Sequence, residues 1–582
     1  MPTPTLDAKR HSLAHLLAAA VLAIWPETKR TIGPAIDDGF YYDFDFGAVK
    51  ISDSDLSKIE QKMREIFKTW TTFERQEITV DAAKKMFVDN EYKLELINEF
   101  ASDGQNLTTY TSGEFTDLCR GGHIENMKEI ETGSWQLDRI AGAYWRGNEK
   151  NKMLTRIYGL AFDTKTELTD YLKMRLEAKK RDHKILGPAL DLFTFSELVG
   201  AGLPMFLPKG AILLRELSEF VRAEKIKRGY SFVQIPHIAK SKLYLKSGHL
   251  GKYDAMMPLM TDADGDEFAI KAMNCPHHFE MFNATPHSYR DLPIRFAETT
   301  TVYRNEKSGE LAGLLRVKSL TQDDTHHFVR HDQINEEITM ILELMDTVYK
   351  VFDFSDFLVQ ISTRDQNDKT KYFGSDELWE KSEAILIEAA KNWGKEYIVA
   401  EGEAAFYGPK IDIMVKDVIG RSWQLTTVQL DFNQPENFDL YYIGEDGTKH
   451  HPAVLHVAIL GSLERFLGVL IEHYAGNFPT WLAPVQIKIL PVGEAHQEYC
   501  YKLGAEFKAQ NIRLEVDSAN ESIGKKIRTA EQEKVPYMLV VGDKEIQSGD
   551  LAVRKRGQRE IVNISKTEFI TNILEEITNK HN

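Results

Sequence analysis

Three cysteines in 582 residues, Cys119, Cys275 and Cys500, are too scattered, and odd in number, to frame a fold with disulfides. They fit a reducing compartment, where a thiol serves as a ligand or a nucleophile. Long apolar runs are also missing. The one near the start, residues 16–25 behind Lys9 and Arg10, is interrupted by His15 and followed by Pro26-Glu27-Thr28, a poor context for leader cleavage. It falls well short of the ~20 residues a bilayer span requires, so a cytoplasmic protein is expected. Positive charge is not in excess. The 72 Lys+Arg against 88 Asp+Glu leave a net charge of −16, which argues against nucleic-acid binding by bulk charge. No internal repeat or low-complexity tract occurs. What is present is an ordinary globular composition, 42% hydrophobic and 27% charged, on a chain too long for one hydrophobic core, which stops growing near ~250–300 residues.

Charge is unevenly spread. Residues 481–582 hold 15 Lys+Arg against 15 Asp+Glu, so the rest of the chain carries the whole excess of 16. Within that neutral tail Arg554, Lys555, Arg556 and Arg559 form a basic cluster, suited to phosphate contacts but as often a solvated face. Apolar spacing predicts a helix over residues 6–25, ended by Pro26. Glycine-rich turns follow, and residues 164–184, rich in Glu, Lys, Arg and Leu, read as a connecting helix. Residues 185–480 contain many short alternating strands, 411–415 and 421–432 among them. The tail alternates strand and helix (485–490, 495–510, 513–516, 523–533, 537–541), which predicts a small α/β domain on a largely parallel sheet. Three folded units are expected: 1–163, 185–480 and 481–582.

His11 and His15, four apart on the first helix, project from one face. Cys119 and His123 repeat that separation in a glycine-containing segment that begins at Asp117. Together they would make a tetrahedral metal site or a polar hydrolytic pocket; spacing alone favours the plainer reading, a histidine pair and an unrelated buried thiol. Tyr303-Arg304-Asn305-Glu306 follows a strand-like stretch and precedes a glycine turn, with Arg316 and Lys318 on the return. An arginine with a carboxylate two residues on suits a phosphate and an amino group, and a surface ion-pair hairpin is the bland alternative. Residues 320–328 are dense in polar ligand types for a strand with apolar flanks. Tyr407, Lys410, Gln424 and Gln429 read as further inward-facing polar groups. Residues 455–466 run from strand into helix, with Gly461 and Ser462 at the helix start and Arg465 in its first turn, where anions are favoured.

Taken in order, these segments resemble a class II aminoacyl-tRNA synthetase core. Residues 229–236 match its first motif, 303–328 its second and 461–466 its third. Met273-Asn274-Cys275-Pro276, residues 321–326, Leu455-His456, residues 406–411 and residues 423–432 resemble the threonyl-tRNA synthetase family in particular. Residues 11–15 and 117–123 are similar to that family's editing domain, and residues 542–549 and 552–554 to its anticodon-binding domain. The resemblance covers nearly the whole chain. It implies an α+β editing domain, an antiparallel class II catalytic sheet flanked by helices, and a C-terminal α/β anticodon-binding domain. The activity implied is that of a threonine–tRNA ligase: threonyl-adenylate formation with ATP, transfer to tRNA(Thr), and hydrolysis of mischarged seryl-tRNA(Thr).

The same resemblance assigns roles that spacing does not. Cys275, His326 and His456 would hold one zinc ion per subunit, leaving an open position for threonine. Asp324 would accept the threonine hydroxyl, with Gln322, Tyr407, Lys410 and Gln429 on the amino-acid side. Arg304 and Gln424 would contact ATP and adenylate, Glu306 the adenine amino group, and Arg316 and Arg465 the outer phosphates, with Mg2+ accompanying ATP. His249 is a candidate base for transfer. His11, His15, Cys119 and His123, supported by Lys93 and Asp117, would form the deacylation pocket, its metal status open. Asn520, Glu545 and Arg554 would read anticodon bases, and a homodimer is implied through the first motif. The chain departs from the family in three places. It begins almost at the editing segment, so the small N-terminal domain of many bacterial relatives is expected to be absent. His277 stands where the family has glycine, and Val457 follows the third ligand where arginine is frequent. A class II synthetase for proline or serine, or an RNA-binding regulator without chemistry, are the competing readings; the intact ligand set and arginines speak against both.

Overall fold

In the computed structural model, which describes residues 5–102, 104, 106–417 and 420–580, the Thr5 hydroxyl accepts the Ala8 N–H and opens the helix Leu6–Ile24, which stops just before Pro26 as the spacing predicts. Leu13, Leu16, Leu17 and Val21 of this helix join Phe40, Phe44 and Trp135 in one core, each such side chain contributing roughly 1.5–3 kcal/mol on burial. The sheet beneath runs in the order Lys29–Arg30, Gly39–Asp45, Met153–Ala161, Trp135–Tyr144, with Ala35–Ile36 paired to Gly39–Asp45. A smaller antiparallel sheet, Glu74–Ile78, Leu107–Ser112 and Phe115–Leu118, ends where the Asp117–His123 segment begins. These elements belong to the first of two compact units, Met1–Leu176 and Glu177–Asn582.

The connecting helix spans Lys165–Arg181, shorter than residues 164–184. Asp182 breaks it: the residue leaves the helical conformation and its carboxylate caps a second helix, His183–Ala189, accepting the Lys184 N–H at 2.8 Å.

The second unit is built on an eight-stranded sheet. Its order is Ser231–Phe232, Ile294–Tyr303, Ser319–Val329, Ala453–Ser462, Ser422–Asp431, Lys410–Lys416, Phe357–Thr363, Tyr397–Glu401. The six inner strands are antiparallel and only the two edge pairings are parallel. Leucine- and isoleucine-rich faces of the helices Pro208–Lys227, Ile334–Val351 and Leu463–His473 cover one side and share its core. The tail forms a five-stranded sheet. Leu514–Val516, Ile487–Pro491 and Tyr537–Val541 are parallel, but Asp550–Lys555 and Val562–Ser565 add antiparallel, so the sheet is mixed rather than largely parallel. The returning strands form a hairpin around Gly557, whose φ of 76° suits glycine.

Candidate functional site

Strand register explains how residues far apart in sequence meet. His326 on Ser319–Val329 pairs with His456 on Ala453–Ser462, and His456 pairs with Gln429 on Ser422–Asp431. Cys275 opens the helix Cys275–Asn283, which packs through Phe279 and Phe282 on Phe328 and Val454 of the same strands. The donor atoms of Cys275, His326 and His456 lie within 4.8 Å of one another, all three side chains buried. Each imidazole is fixed from behind: His456 Nε2 lies 3.0 Å from Asp431 Oδ2, and His326 Nδ1 lies 2.8 Å from His278 Nδ1. The opposite ring nitrogen of each is therefore the one free to ligate. Burial holds His326 well below its ordinary pKa, hence neutral, and pushes the Cys275 thiol well above, so that its ionisation needs a cation alongside. One sulfur and two imidazoles facing a cavity fit a zinc ion with an open position.

That cavity, about 360 Å³, is also lined by Arg304, Gln322, Asp324, Tyr407, Lys410, Gln424, Gln429 and Arg465. Asn274 donates to Asp324 at 2.8 Å and aims its carboxylate. Bonded to the lining residues Lys410, Gln424 and Thr427, the buried Asp412, absent from the sequence reading, also accepts from Ser362 and sets the orientation of the lysine and the glutamine. At the other end, burial and the nearby Arg304 and Arg316 lower the Arg465 pKa to about 10. Arg304 and Arg465 together in the cavity lining, with Arg316 close by, suit an anion. Arg465 donates to the Leu315 and Gln424 carbonyls at 2.8 Å, and the Ser462 hydroxyl caps its helix. Gly461 has φ 72°, and a Cβ there would meet the Leu425 carbonyl oxygen at 2.4 Å, so the strand-to-helix corner requires glycine.

Three predicted residues do not line the cavity. Glu306 and Arg316 pair with each other at 2.8 Å, and Arg316 also holds Glu310. His249 is buried against Phe406 and Tyr407, bonded through Nδ1 to Ser247, and burial lowers its pKa to about 3. Its Nε2 has no partner. It stands behind the cavity wall rather than on it.

In the first unit, His11, His15, Cys119 and His123 likewise bring their donor atoms within 4.8 Å of one another. They line a cavity of about 720 Å³ together with Lys93 and Asp117. Cys119 Sγ is 3.5 Å from His11 Nε2 and 3.3 Å from His123 Nε2, and Ser12 Oγ meets His123 Nδ1 at 3.2 Å. Burial lowers the pKa values of all three histidines, His15 to about 3, and raises Cys119 to about 11. At neutral pH the pocket therefore presents neutral imidazoles and a protonated thiol. Burial would raise Asp117, but Lys93 at 2.8 Å and Arg30 at 3.1 Å outweigh it and keep the carboxylate ionised. Tyr42, which hydrogen-bonds to Asp117, is a lining residue that the sequence reading missed.

Three stretches of the chain match known protein domains. Residues 259–474 match the tRNA synthetase class II core domain (G, H, P, S and T), residues 486–576 an anticodon binding domain, and residues 107–158 the threonyl and alanyl tRNA synthetase second additional domain. A threonine–tRNA ligase of Porphyromonas gingivalis is 49% identical over 572 residues, 97% of this chain and 87% of that relative. One of Cytophaga hutchinsonii is 50% identical over 564 residues, 96% and 87% of the two chains. The chain belongs to the threonyl-tRNA synthetase family. A crystal structure of the RNA binding domain of threonyl-tRNA synthetase from Cryptosporidium parvum, 35% identical, superposes with a TM-score of 0.65 over 68% of this chain and 98% of that one. As a member of the threonyl-tRNA synthetase family, the chain is a class II aminoacyl-tRNA synthetase.

Val457 is buried in the cavity wall. His277 is buried near Tyr244 with neither ring nitrogen partnered. The predicted anticodon readers are not gathered together. Asn520 is exposed beyond Leu514–Val516, and Glu545 caps Gly542 beyond Tyr537–Val541, both past the carboxyl ends of parallel strands. Arg554 pairs opposite Met538, near the other end of that strand, and its guanidinium holds Glu531 at 2.5 Å.

Proposed function

We propose that the chain activates L-threonine with ATP, transfers it to tRNA(Thr), and hydrolyses seryl-tRNA(Thr) in a separate pocket. The observation that carries this reading is the Cys275, His326 and His456 donor set opening onto the same cavity as Asp324 and the paired Arg304 and Arg465. Cys275, His326 and His456 would hold zinc, which when bound would supply a Lewis acid to the amino and hydroxyl groups of threonine. Asp324, aimed by Asn274, accepts a hydrogen bond from the hydroxyl, while Lys410 and Gln429 bound the amino-acid side. Valine leaves Asp324 unsatisfied, a penalty that an apolar pocket's ~10²-fold discrimination does not reach. Arg304 and Arg465, with Arg316 once it leaves Glu310, hold the polyphosphate of ATP with its Mg2+, and Gln424 orients the adenylate.

Serine lacks only a methyl, worth roughly 1–3 kcal/mol or 10–200-fold, too little for translation. The neutral imidazoles of His11, His15 and His123 accept a proton from the attacking water, and Lys93 with Asp117 orders the pocket. Cys119, protonated at neutral pH, is not the nucleophile. Residues 1–163 serve as the editing domain, 185–480 as the catalytic domain and 481–582 as the anticodon-binding domain, where Asn520, Glu545 and Arg554 contact unstacked bases. The protein works as a homodimer in the cytoplasm; the edge strand Ser231–Phe232 leaves a sheet edge for pairing, and among the described residues no helix is long and apolar enough to cross a membrane. Pyrophosphate exchange with threonine, serine, valine and proline tests the reading. Strong exchange with threonine, weaker with serine and none with valine or proline is expected; exchange with proline but not threonine would reverse it.

A further inference from the structure

His183 lies outside the cavity, and the chemistry above gives it no task, yet both its ring nitrogens are engaged. Nδ1 is 2.7 Å from Glu472 Oε1, and Nε2 accepts the Leu314 N–H at 3.1 Å, with both side chains buried. Asp182, His183 and Glu472 also bring donor atoms close enough together to suggest a metal. The Leu314 contact rules that out: a metal on Nδ1 would leave the ring proton on Nε2, facing the Leu314 N–H, donor against donor. The ring is instead locked in one tautomer, with Nδ1–H donating to the carboxylate and the Nε2 lone pair accepting from the backbone.

What these bonds hold is informative. Glu472 sits on the helix Leu463–His473, two turns beyond Arg465. Leu314 sits in the loop between Ile294–Tyr303 and Ser319–Val329, which carries Glu306 and Arg316. Arg465 Nε donates to the neighbouring Leu315 carbonyl at 2.8 Å. One short stretch of loop is thus gripped at its N–H by an imidazole and at its carbonyl by a guanidinium, and both grips lead to the same helix. Gly313 has φ 57°, and a Cβ there would lie 2.2 Å from His183 Nε2, so glycine allows the loop backbone to reach the ring.

We infer that His183 is a positioning residue for ATP: it ties the 304–318 loop to the helix of Arg465, so that Arg316 and Arg465 are presented together to the polyphosphate. This deepens, and rests on, the reading of those arginines as phosphate contacts. Two substitutions cut the arms separately. In His183→Asn the amide reaches the place of Nδ1, keeping Glu472 and losing Leu314. In His183→Gln the side-chain oxygen reaches the place of Nε2 and keeps Leu314. In threonine-dependent pyrophosphate exchange, His183→Asn should raise the KM for ATP roughly tenfold, as loss of one buried hydrogen-bond partner implies, leave the KM for threonine within about twofold, and be largely rescued in His183→Gln. Should His183→Asn fail to fold, Gly313→Ala displaces the ring from Leu314 and carries the same prediction. An ATP KM like the parent's, equal rises for ATP and threonine, or no rescue by glutamine would overturn the inference. Arg465→Ala measured in parallel separates the two ideas: a raised ATP KM there beside an unchanged His183→Asn defeats the tie alone, and no change in either defeats the phosphate reading beneath it.

Discussion

The His456 Nε2 hydrogen is directed at Asp431, 3.0 Å away, and Asp431 is itself pinned by the backbone N–H groups of Asn433 and Gln434 at 2.8 and 2.9 Å. A carboxylate held this way sets the imidazole's tautomer and raises its basicity as a ligand. Asp431→Asn should therefore retain the fold and bind zinc 10–100-fold more weakly, roughly the range for lost outer partners. Chelator competition measures this directly, and unaltered affinity would show that Asp431 serves only the strand.

Asp412 makes a separable prediction. It gathers Lys410, Gln424, Ser362 and Thr427 without bonding to Cys275, His326 or His456. Asp412→Asn puts an amide against the Lys410 ammonium and frees Gln424. The KM for threonine should rise by roughly tenfold or more, with zinc content unchanged. A parent-like KM would mean that the network is structural.

The editing pocket predicts an unusual pH profile. His15 is depressed to about 3 and Cys119 raised to about 11, both chiefly by burial. A histidine whose pKa is lowered keeps its basic, neutral form as pH falls. Enzyme-catalysed hydrolysis of seryl-tRNA should therefore stay level from about pH 8 to about pH 5, whereas an ordinary imidazole near 6.5 would lose roughly thirtyfold. His11→Ala combined with His15→Ala should leave threonine charging intact and let seryl-tRNA accumulate. Clearance at the parent rate in that double variant would remove these histidines from the mechanism.

Buried charge gives a further expectation, on stability. Burial would raise the Glu337 pKa, but Arg295 and His327 outweigh it and bring it down to about 2. A depressed carboxylate stabilises the fold above its unfolded value near 4.5, and that contribution is lost as pH falls through about 2. Glu337→Gln should lower the melting temperature at pH 7 and shift it much less near pH 2; an equal loss at both would contradict the ion-pair account.

The first helix, the polar strand around His326 and the strand-to-helix corner at Gly461 were legible because period, caps and glycine act locally. The Cys275, His326 and His456 set was not, since its three members meet only through the pairing of strands remote in sequence; the family resemblance supplied it. Asp412 and Asp431 went unnoticed because a single aspartate in a strand announces nothing until the partners that fold against it, Gln424 and Thr427 for one and His456 for the other, are in place. The mixed sheet of the tail was misread because a hairpin added late to parallel strands leaves no trace in the strand–helix alternation. Arg554, singled out by charge and by resemblance, is paired with Glu531, a partner that its place in the sequence does not disclose.

A metal held by Cys275, His326 and His456 would distinguish a hydroxyl from a methyl. Zinc content and threonine-dependent exchange, measured on the same purified protein before and after Cys275→Ser, test it most directly. One zinc per chain is expected, with metal and exchange lost together in the variant. Full exchange from protein that contains no zinc would contradict it.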